Sequence, residues 1–249
     1  MKEHEMRKYA IILAGGSGTR AGGDMPKQFR QICRRPLVWW AMKAFRDADA
    51  DTEIVLVVHP GFFDDWQILC DAMPEYERIP YTLCCGGRTR AESVRNGLLT
   101  VAGLLGDAPA GEAMVMVHDG ARPLVSAGMI RRGMDAFCVS GAGVIPVMPA
   151  VNSLRQLAAS SVSLAEAESH TVNRALYVEV QTPQIFPYRL LCDCYKSASD
   201  LSAYTDDASV VESAGHHVRL YEGESANIKV THPDDFIIAE ALLRARAGE

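Results

Sequence analysis

Five short runs of mostly apolar, often β-branched residues recur along the chain: YAIILA (9–14), EIVLVVH (53–59), YTLCC (81–85), AMVMVH (113–118) and GVIPV (143–147). Between them the apolar residues switch to helical spacing. Strands with so little polar alternation are buried on both faces, as in a parallel sheet covered by helices. Pro36 opens a helix at its first turn, with Leu37, Trp40, Ala41, Ala44 and Phe45 along one face. Val94, Leu98, Val101 and Leu105 repeat that spacing, and Ser126 is placed to cap a helix carrying Ile130, Met134 and Phe137. Such alternation implies right-handed crossovers, so the expected fold is α/β: a Rossmann-like, mostly parallel sheet with helices on both faces. Ligands in such folds sit beyond the carboxyl ends of the strands, where loops 15–28, 86–93 and 119–125 are expected to gather.

The alternation breaks at Met148. VNSLRQL, the small polar stretch AASSVSLAEAES and HTVNRALYVEVQ read as two strand-like pieces around a flexible tip, an inserted β-arm at about residues 148–181. The pattern resumes with a helix at YRLLCDCY and another at TDDASVVESAG. The second is expected to be capped by Thr205, with Asp206 and Asp207 favourable to its dipole. Strands HVRLYEG and NIKV and a final helix from Pro233 complete the reading. Neither an internal repeat nor a long polar linker divides the chain, so residues 1–249 are read as one domain.

Composition removes several function classes. A net charge of −6 and a pI near 5.7 argue against an extended nucleic-acid footprint, though not against a local basic pocket. Seven cysteines form no C-x-x-C pair, which reads as reduced thiols in a cytoplasmic protein rather than a disulfide framework or zinc site. The basic residues before the first apolar run imitate a signal peptide, but the run ends in GGSGTR, as a buried first strand would. No stretch approaches the roughly 18 apolar residues of a membrane span. Trp39-Trp40 and the seven histidines read as core or surface residues, without metal-binding spacing.

The loop after the first strand carries the chemistry. Gly16-Ser17-Gly18-Thr19-Arg20-Ala21 fits G-x-G-x-x-G/A, but Gly22, Gly23 and Pro26 would break the helix that a dinucleotide fingerprint requires. The second strand ends in His59-Pro60 where a ribose-binding acid should stand. A P-loop needs Lys-Ser/Thr after its second glycine, and Thr19-Arg20 stands there instead. What remains is a long irregular loop in which Gly15, Gly16 and Gly18 let backbone N–H groups approach phosphate oxygens, with Ala14 before them as a further substrate-side position. Arg20 and Lys27 add two cations able to flank a triphosphate. A solvated glycine loop with surface cations is the alternative for the loop taken alone.

LAGGSGTR (13–20) with MPKQF (25–29) resembles the signature of the sugar-phosphate nucleotidyltransferases, and most closely the 2-C-methyl-D-erythritol 4-phosphate cytidylyltransferase family. The likeness continues in family order through GGRTRAESVRNGL (86–98), VHDGARPLV (117–125), HTVNR (170–174), QTPQIF (181–186), TDDASVVE (205–212) and EGESANIKVTHPDD (222–235). The resemblance implies attack of a sugar-alcohol phosphate on the α-phosphorus of CTP with loss of pyrophosphate, by positioning and charge neutralisation rather than a covalent intermediate. It implies that Arg20 and Lys27 stabilise the transition state and that Arg174 and Lys229 hold the acceptor phosphate, with Arg122 near it. Asp119, ending its strand, is then a magnesium ligand, or else a plain Asp-Gly turn. Cytosine and ribose are read by backbone groups of the first loop and of Gly86-Gly87, with Arg88 and the Ser93 hydroxyl beside them. Ser153, Thr182 and Thr205 are the remaining substrate-side positions. The resemblance also implies a homodimer in which the arm carries Arg174 into the neighbouring subunit.

The chain departs from the family on the acceptor side. Asn152 and Ser153 precede Arg155 where Asp-Thr precedes a basic residue, Asn173 replaces an Asp, and Ala226 stands where an acid often precedes NIK. Ribitol-5-phosphate cytidylyltransferase therefore stays open as a relative, although GGRTRAESV and TDDASVVE favour the methylerythritol phosphate enzyme. A non-catalytic nucleotide-binding or regulatory protein need not keep Arg20, Lys27, Asp119, Arg174 and Lys229 together. A hydride-transferring dehydrogenase is disfavoured by Pro26 and His59.

Overall fold

The computed structural model describes residues 6–16, 25–106, 113–159 and 163–248. Strand β1 (Arg7–Ala14) leads through a small antiparallel hairpin, β2 (Gln31–Ile32) and β3 (Arg35–Pro36), into helix α1 (Leu37–Ala48). There follow β4 (Glu53–Val58), α2 (Phe63–Asp71), β5 (Thr82–Cys85), α3 (Arg90–Leu105), β6 (Ala113–Asp119), α4 (Ala127–Ser140) and β7 (Gly143–Pro149). The arm strands β8 (Arg155–Leu157) and β9 (Ser169–Thr171) come next. The chain ends with β10 (Val178–Val180), β11 (Gln184–Pro187), α5 (Tyr188–Ser197), α6 (Asp207–Ser213), β12 (Val218–Glu222) and α7 (Pro233–Ala247).

Among the described residues the main sheet has eight strands. Its core is parallel, as the sequence pattern requires: β1 lies between β4 and β6, and β5 extends the sheet beyond β4. Beyond β6 the sheet becomes mixed. β11 runs antiparallel between β6 and β7, β10 is antiparallel to β7, and β12 is parallel to it. Successive residues of β1 face opposite sides, and both sides are covered. Ala10, Ile12 and Ala14 pack with α1 and α4 residues such as Phe45 and Ile130. Tyr9, Ile11 and Leu13 pack with Val94, Leu98, Leu191 and Val210 from α3, α5 and α6. Each fully buried aliphatic or aromatic side chain contributes roughly 1.5–3 kcal/mol. A third cluster of Ile32, Leu37, Leu124, Val230, Phe236 and Leu243 packs α7 against the loops that follow β6 and precede α1.

Local signals behaved as their chemistry dictates. The Ser126 hydroxyl accepts the Met129 N–H at 2.9 Å and caps α4. Helix α1 buries Val38, Trp39 and Met42 beyond the expected face, while Trp40 is only half-buried.

Three expectations need correction. Helix α6 is capped by Asp206, not Thr205: the Asp206 carboxylate accepts the Ser209 N–H at 2.9 Å, and the Ser209 hydroxyl closes the box on the Asp206 N–H. Thr205 is exposed, and a cap there would put Ala208, which has no side-chain acceptor to return, at the third helical position. NIKV is not a strand. Residues 227–230 cross the crevice as irregular chain, tied to the post-β6 loop by one backbone bond, Val230 N–H to the Ala121 carbonyl at 2.8 Å. The projecting arm is also shorter than 148–181, because Val178–Val180 pair with Val147–Pro149 inside the main sheet. Within the arm, among the described residues, the β8–β9 ladder stands apart from the main sheet, with tip residues 160–162 outside the described residues.

Candidate active site

The crevice forms around the carboxyl ends of β1 and β6. Strand β6 is buried along its whole length and delivers Asp119 as its last residue. The next N–H, of Gly120, donates to the Leu13 carbonyl of β1 at 2.9 Å. A Cβ at Gly120 would lie 2.8 Å from that carbonyl oxygen, so the close approach itself requires glycine. Arg122 N–H then donates to the Asp119 carbonyl at 2.9 Å and closes the turn. The Asp-Gly turn and the crevice carboxylate are thus the same feature.

Beneath Asp119 lies a buried relay of hydrogen bonds. A backbone carbonyl can only accept, so His118 Nε2 donates to the Arg122 carbonyl at 3.1 Å. His118 Nδ1 therefore accepts from the Thr182 hydroxyl at 3.0 Å, and the Thr182 oxygen accepts the Asp119 N–H at 3.1 Å. Burial pushes the His118 pKa down to about 4, which agrees with a neutral ring. Thr182, expected to touch substrate, is buried with its hydroxyl committed to His118 and Asp119; it sets the strand end and does not line the crevice.

The Asp119 carboxylate is ringed by cations. Lys229 Nζ lies 2.8 Å from Oδ2, Arg90 Nε lies 3.2 Å from Oδ1, and Arg122 Nε lies 3.9 Å from Oδ2. Burial alone would raise the Asp119 pKa, but Arg90, Lys229 and Arg122 hold it far below the usual carboxylate range. Arg122 is anchored through its NH1 group to the Asn227 carbonyl at 2.9 Å. Lys27 reaches across from the first loop and donates to the Val230 carbonyl at 2.7 Å, next to Lys229 in sequence. This local excess of positive charge sits in a chain of net charge −6. It suits a polyanion held at the strand ends.

The first loop and the 86–93 loop also meet. A Cβ on Gly15 would lie 3.5 Å from Ser93 Oγ and 3.6 Å from Gly86 Cα, so the first loop and the 86–93 loop touch. Ser93 is buried; its hydroxyl accepts the Gly87 N–H at 3.0 Å and donates to the Thr89 carbonyl at 2.9 Å, shaping the loop. Arg88 instead points to solvent and pairs with Glu92 at 3.4 Å. Ala14 and Gly16 flank Gly15 at the strand end, while Gly18 and Arg20 lie outside the described residues.

Among the described residues, the arm residues Ser153, Arg155 and Arg174 make no hydrogen bond or ion pair with the Asp119 cluster of this chain. Arg174 is exposed and donates to the Val151 carbonyl, on a one-turn helix whose entry Asn173 fixes by accepting the Ala175 N–H at 3.1 Å. Asn173 thus keeps the cap that its Asp counterpart would provide. Ser153 is exposed just before β8, and Arg155 is bound within the ladder to Ser169 and Thr171.

Sequence reasoning gave Arg90 and Tyr195 no role and Asp207 only a helix-dipole one. Arg90 spans Asp119 and the fully buried Asp207, whose Oδ2 lies 2.8 Å from its NH2 group, and Tyr195 donates to the other Asp207 oxygen at 2.6 Å. Burial disfavours the Arg90 charge, but Asp207 and Asp119 more than offset this and raise its pKa. Two adjacent acids in TDDAS, only one of which can cap the helix, were the available signal.

The arrangement offers cations, a crevice carboxylate and backbone donors. Among the described residues the one buried histidine, His118, is committed to structure, and the gathered cations suit chemistry on bound anions. A family model described as 2-C-methyl-D-erythritol 4-phosphate cytidylyltransferase matches residues 9–245. A relative of that name from Bacteroides thetaiotaomicron is 40% identical over 238 residues, 96% of this chain and 100% of the relative. One from Cereibacter sphaeroides is 37% identical over 98% of this chain and 100% of its own. The crystal structure of the Thermus thermophilus protein of that name superposes with a TM-score of 0.72 at 33% identity, covering 96% of this chain and 100% of that one.

Proposed function

The chain belongs to the 2-C-methyl-D-erythritol 4-phosphate cytidylyltransferase family and transfers CMP from CTP to the phosphate of methylerythritol phosphate in isoprenoid precursor synthesis; from this premise we propose how its residues divide the work. The observation that carries the proposal is the Asp119 carboxylate held 2.8 Å from Lys229, with Lys27 bound to the adjoining Val230 carbonyl. Lys27 and Arg20 neutralise the triphosphate and the departing pyrophosphate. Lys229, whose side chain is 43% exposed, exchanges its carboxylate partner for the acceptor phosphate, with Arg122 behind it. The Gly15, Gly86, Gly87 and Ser93 wall confines the base, and a close backbone wall favours a pyrimidine over a larger purine by exclusion.

Magnesium is the cation that this crevice fits. Among the described residues no three His, Cys, Asp or Glu side chains gather into a metal cage. A single strand-end carboxylate suits an ion that takes its other oxygens from phosphates and water. Bound with CTP beside Asp119, magnesium supplies charge neutralisation and orientation of the triphosphate.

The arm points to a homodimer. A two-stranded ladder is marginal in water by itself, and Val151, Leu164 and Leu176 are 74%, 82% and 80% exposed within this one chain. Seven free thiols fit a cytoplasmic setting, and among the described residues no helix is long and apolar enough to cross a membrane. Nucleic acid has no place in this reading.

Lys27→Ala is expected to lower turnover by roughly a hundredfold or more with a smaller effect on CTP binding. Arg174→Ala, if the arm serves the neighbour, is equally damaging in its homodimer. Equal mixing then yields half mixed dimers with one intact site each, so activity returns to about a quarter of wild type. Confirmed subunit exchange without recovery would sink the shared site.

A further inference from the structure

Arg90 begins α3, directly after the capping residue Thr89, whose hydroxyl accepts the Glu92 N–H at 3.1 Å. Its guanidinium joins carboxylates 29 and 117 residues away in sequence, Asp119 on β6 and Asp207 on α6. Asp207 is fully buried, and both of its oxygens are taken, one by Arg90 and one by Tyr195 of α5. A buried ion pair is a poor device for stability alone, since desolvation offsets most of its attraction. Its geometry has a specific consequence instead. Arg90 holds Asp119 Oδ1, while Oδ2 faces the half-exposed Lys229. One carboxylate oxygen is thus pinned and the other left exchangeable. The same first turn of α3 carries Ser93, which shapes the Gly87 loop, so Arg90 also ties that loop to the end of β6.

We propose that Arg90 is a positioning residue: anchored on the buried Asp207–Tyr195 pair, it fixes the orientation of the Asp119 carboxylate and locks the 86–93 loop to it. The proposal rests on the reading of the Asp119 crevice as the place of transfer. Lysine cannot replace it, because one ammonium cannot present the separate Nε and NH2 donors that reach the two carboxylates.

The test uses the full chain with CTP and methylerythritol phosphate, measuring kcat, both KM values and urea midpoints for Arg90→Ala, Arg90→Lys, Asp207→Asn, Tyr195→Phe, Asp119→Asn and the Arg90→Ala/Asp119→Asn pair. Arg90→Ala and Arg90→Lys should each lose about a hundredfold in kcat, the size of effect that misplacing a catalytic group by an ångström produces, with the KM for CTP changing far less. Added guanidinium ion should partly restore Arg90→Ala, and ammonium at equal concentration should not. Because Arg90 acts through Asp119, the double variant should be little worse than Asp119→Asn alone. Tyr195→Phe, which removes one hydroxyl, should show a smaller kcat loss of the same kind, and its cycle with Asp119→Asn carries the test if Arg90→Ala does not fold. Losses that simply multiply in the cycle, or that appear only in the urea midpoint, overturn the clamp alone. Full turnover by Asp119→Asn overturns the crevice reading and the clamp with it.

Discussion

Gly120 is the residue where packing and chemistry meet most tightly. Replacing it with alanine puts a methyl 2.8 Å from the Leu13 carbonyl oxygen and 3.1 Å from Val38 Cγ2. Ordinary contact between a methyl and an oxygen needs about 3.4 Å or more, so the chain must open by roughly half an ångström. The oxygen belongs to β1, an interior strand buried there on both faces, and it already accepts the Gly120 N–H at 2.9 Å. The displacement therefore falls on the β6 end, and Asp119 moves with it. Overpacking of this kind destabilises by about 1–3 kcal/mol. Misplacing a catalytic group by an ångström costs on the order of a hundredfold, so half of that shift should lower kcat/KM about tenfold. Gly103 is the matched control. It lies inside α3, and a Cβ there would meet nothing within 4 Å, so alanine should add up to about 1 kcal/mol through helix propensity. Urea unfolding and pyrophosphate release, run on both variants, separate the two outcomes. If Gly120→Ala matches Gly103→Ala in stability and turnover, the close approach of β6 to β1 does not set Asp119.

Two further outcomes follow from the same geometry. Asp119→Asn keeps the shape but loses the charge that a hard cation requires, so the magnesium needed for half-activity should rise by at least the roughly tenfold that losing even an outer-sphere partner produces; an unchanged magnesium titration would leave Asp119 as a turn residue. Asp235 accepts the Thr231 and His232 N–H groups at 2.6 and 2.7 Å, and the His232 bond leads in holding its pKa below the ordinary value. A carboxylate depressed on folding stabilises above its unfolded pKa, near about 4, and loses that contribution as pH falls through the lower folded value. Asp235→Asn should thus flatten this part of the acid limb in pH-dependent urea melts and cost about 1 kcal/mol at neutral pH, while an acid limb identical to wild type would remove the carboxylate from that role.

Much of this fold could be read directly because its core strands are buried on both faces. YAIILA and AMVMVH have no polar alternation to mislead, and Ser126 had one plausible helix to cap. NIKV misled because β-branched residues report burial as readily as strand pairing, and Val230 is buried in the α7 cluster without joining the main sheet. The cap at TDDAS was decidable from the residue three places on, Ser209 for Asp206 against Ala208 for Thr205. In the site, Arg122 and Lys229 meet Asp119, and Lys27 reaches the Val230 carbonyl beside Lys229. Arg88 and Arg90 could not be separated from spacing alone, since one is solvated and the other is part-buried, held between two carboxylates from distant elements. Thr182 likewise sits in a motif whose chemistry is internal: its hydroxyl serves His118 and Asp119.

The central claim is that this crevice joins CTP to methylerythritol phosphate, even though Asn152, Ser153 and Asn173 depart from the family on the acceptor side. The most direct measurement is pyrophosphate release by the purified chain with CTP and magnesium, comparing methylerythritol phosphate with ribitol 5-phosphate at equal concentrations. The account predicts rapid release with methylerythritol phosphate, little with ribitol 5-phosphate, and collapse of the first rate in Lys229→Ala. Faster release with ribitol 5-phosphate, or a rate indifferent to Lys229, would contradict it.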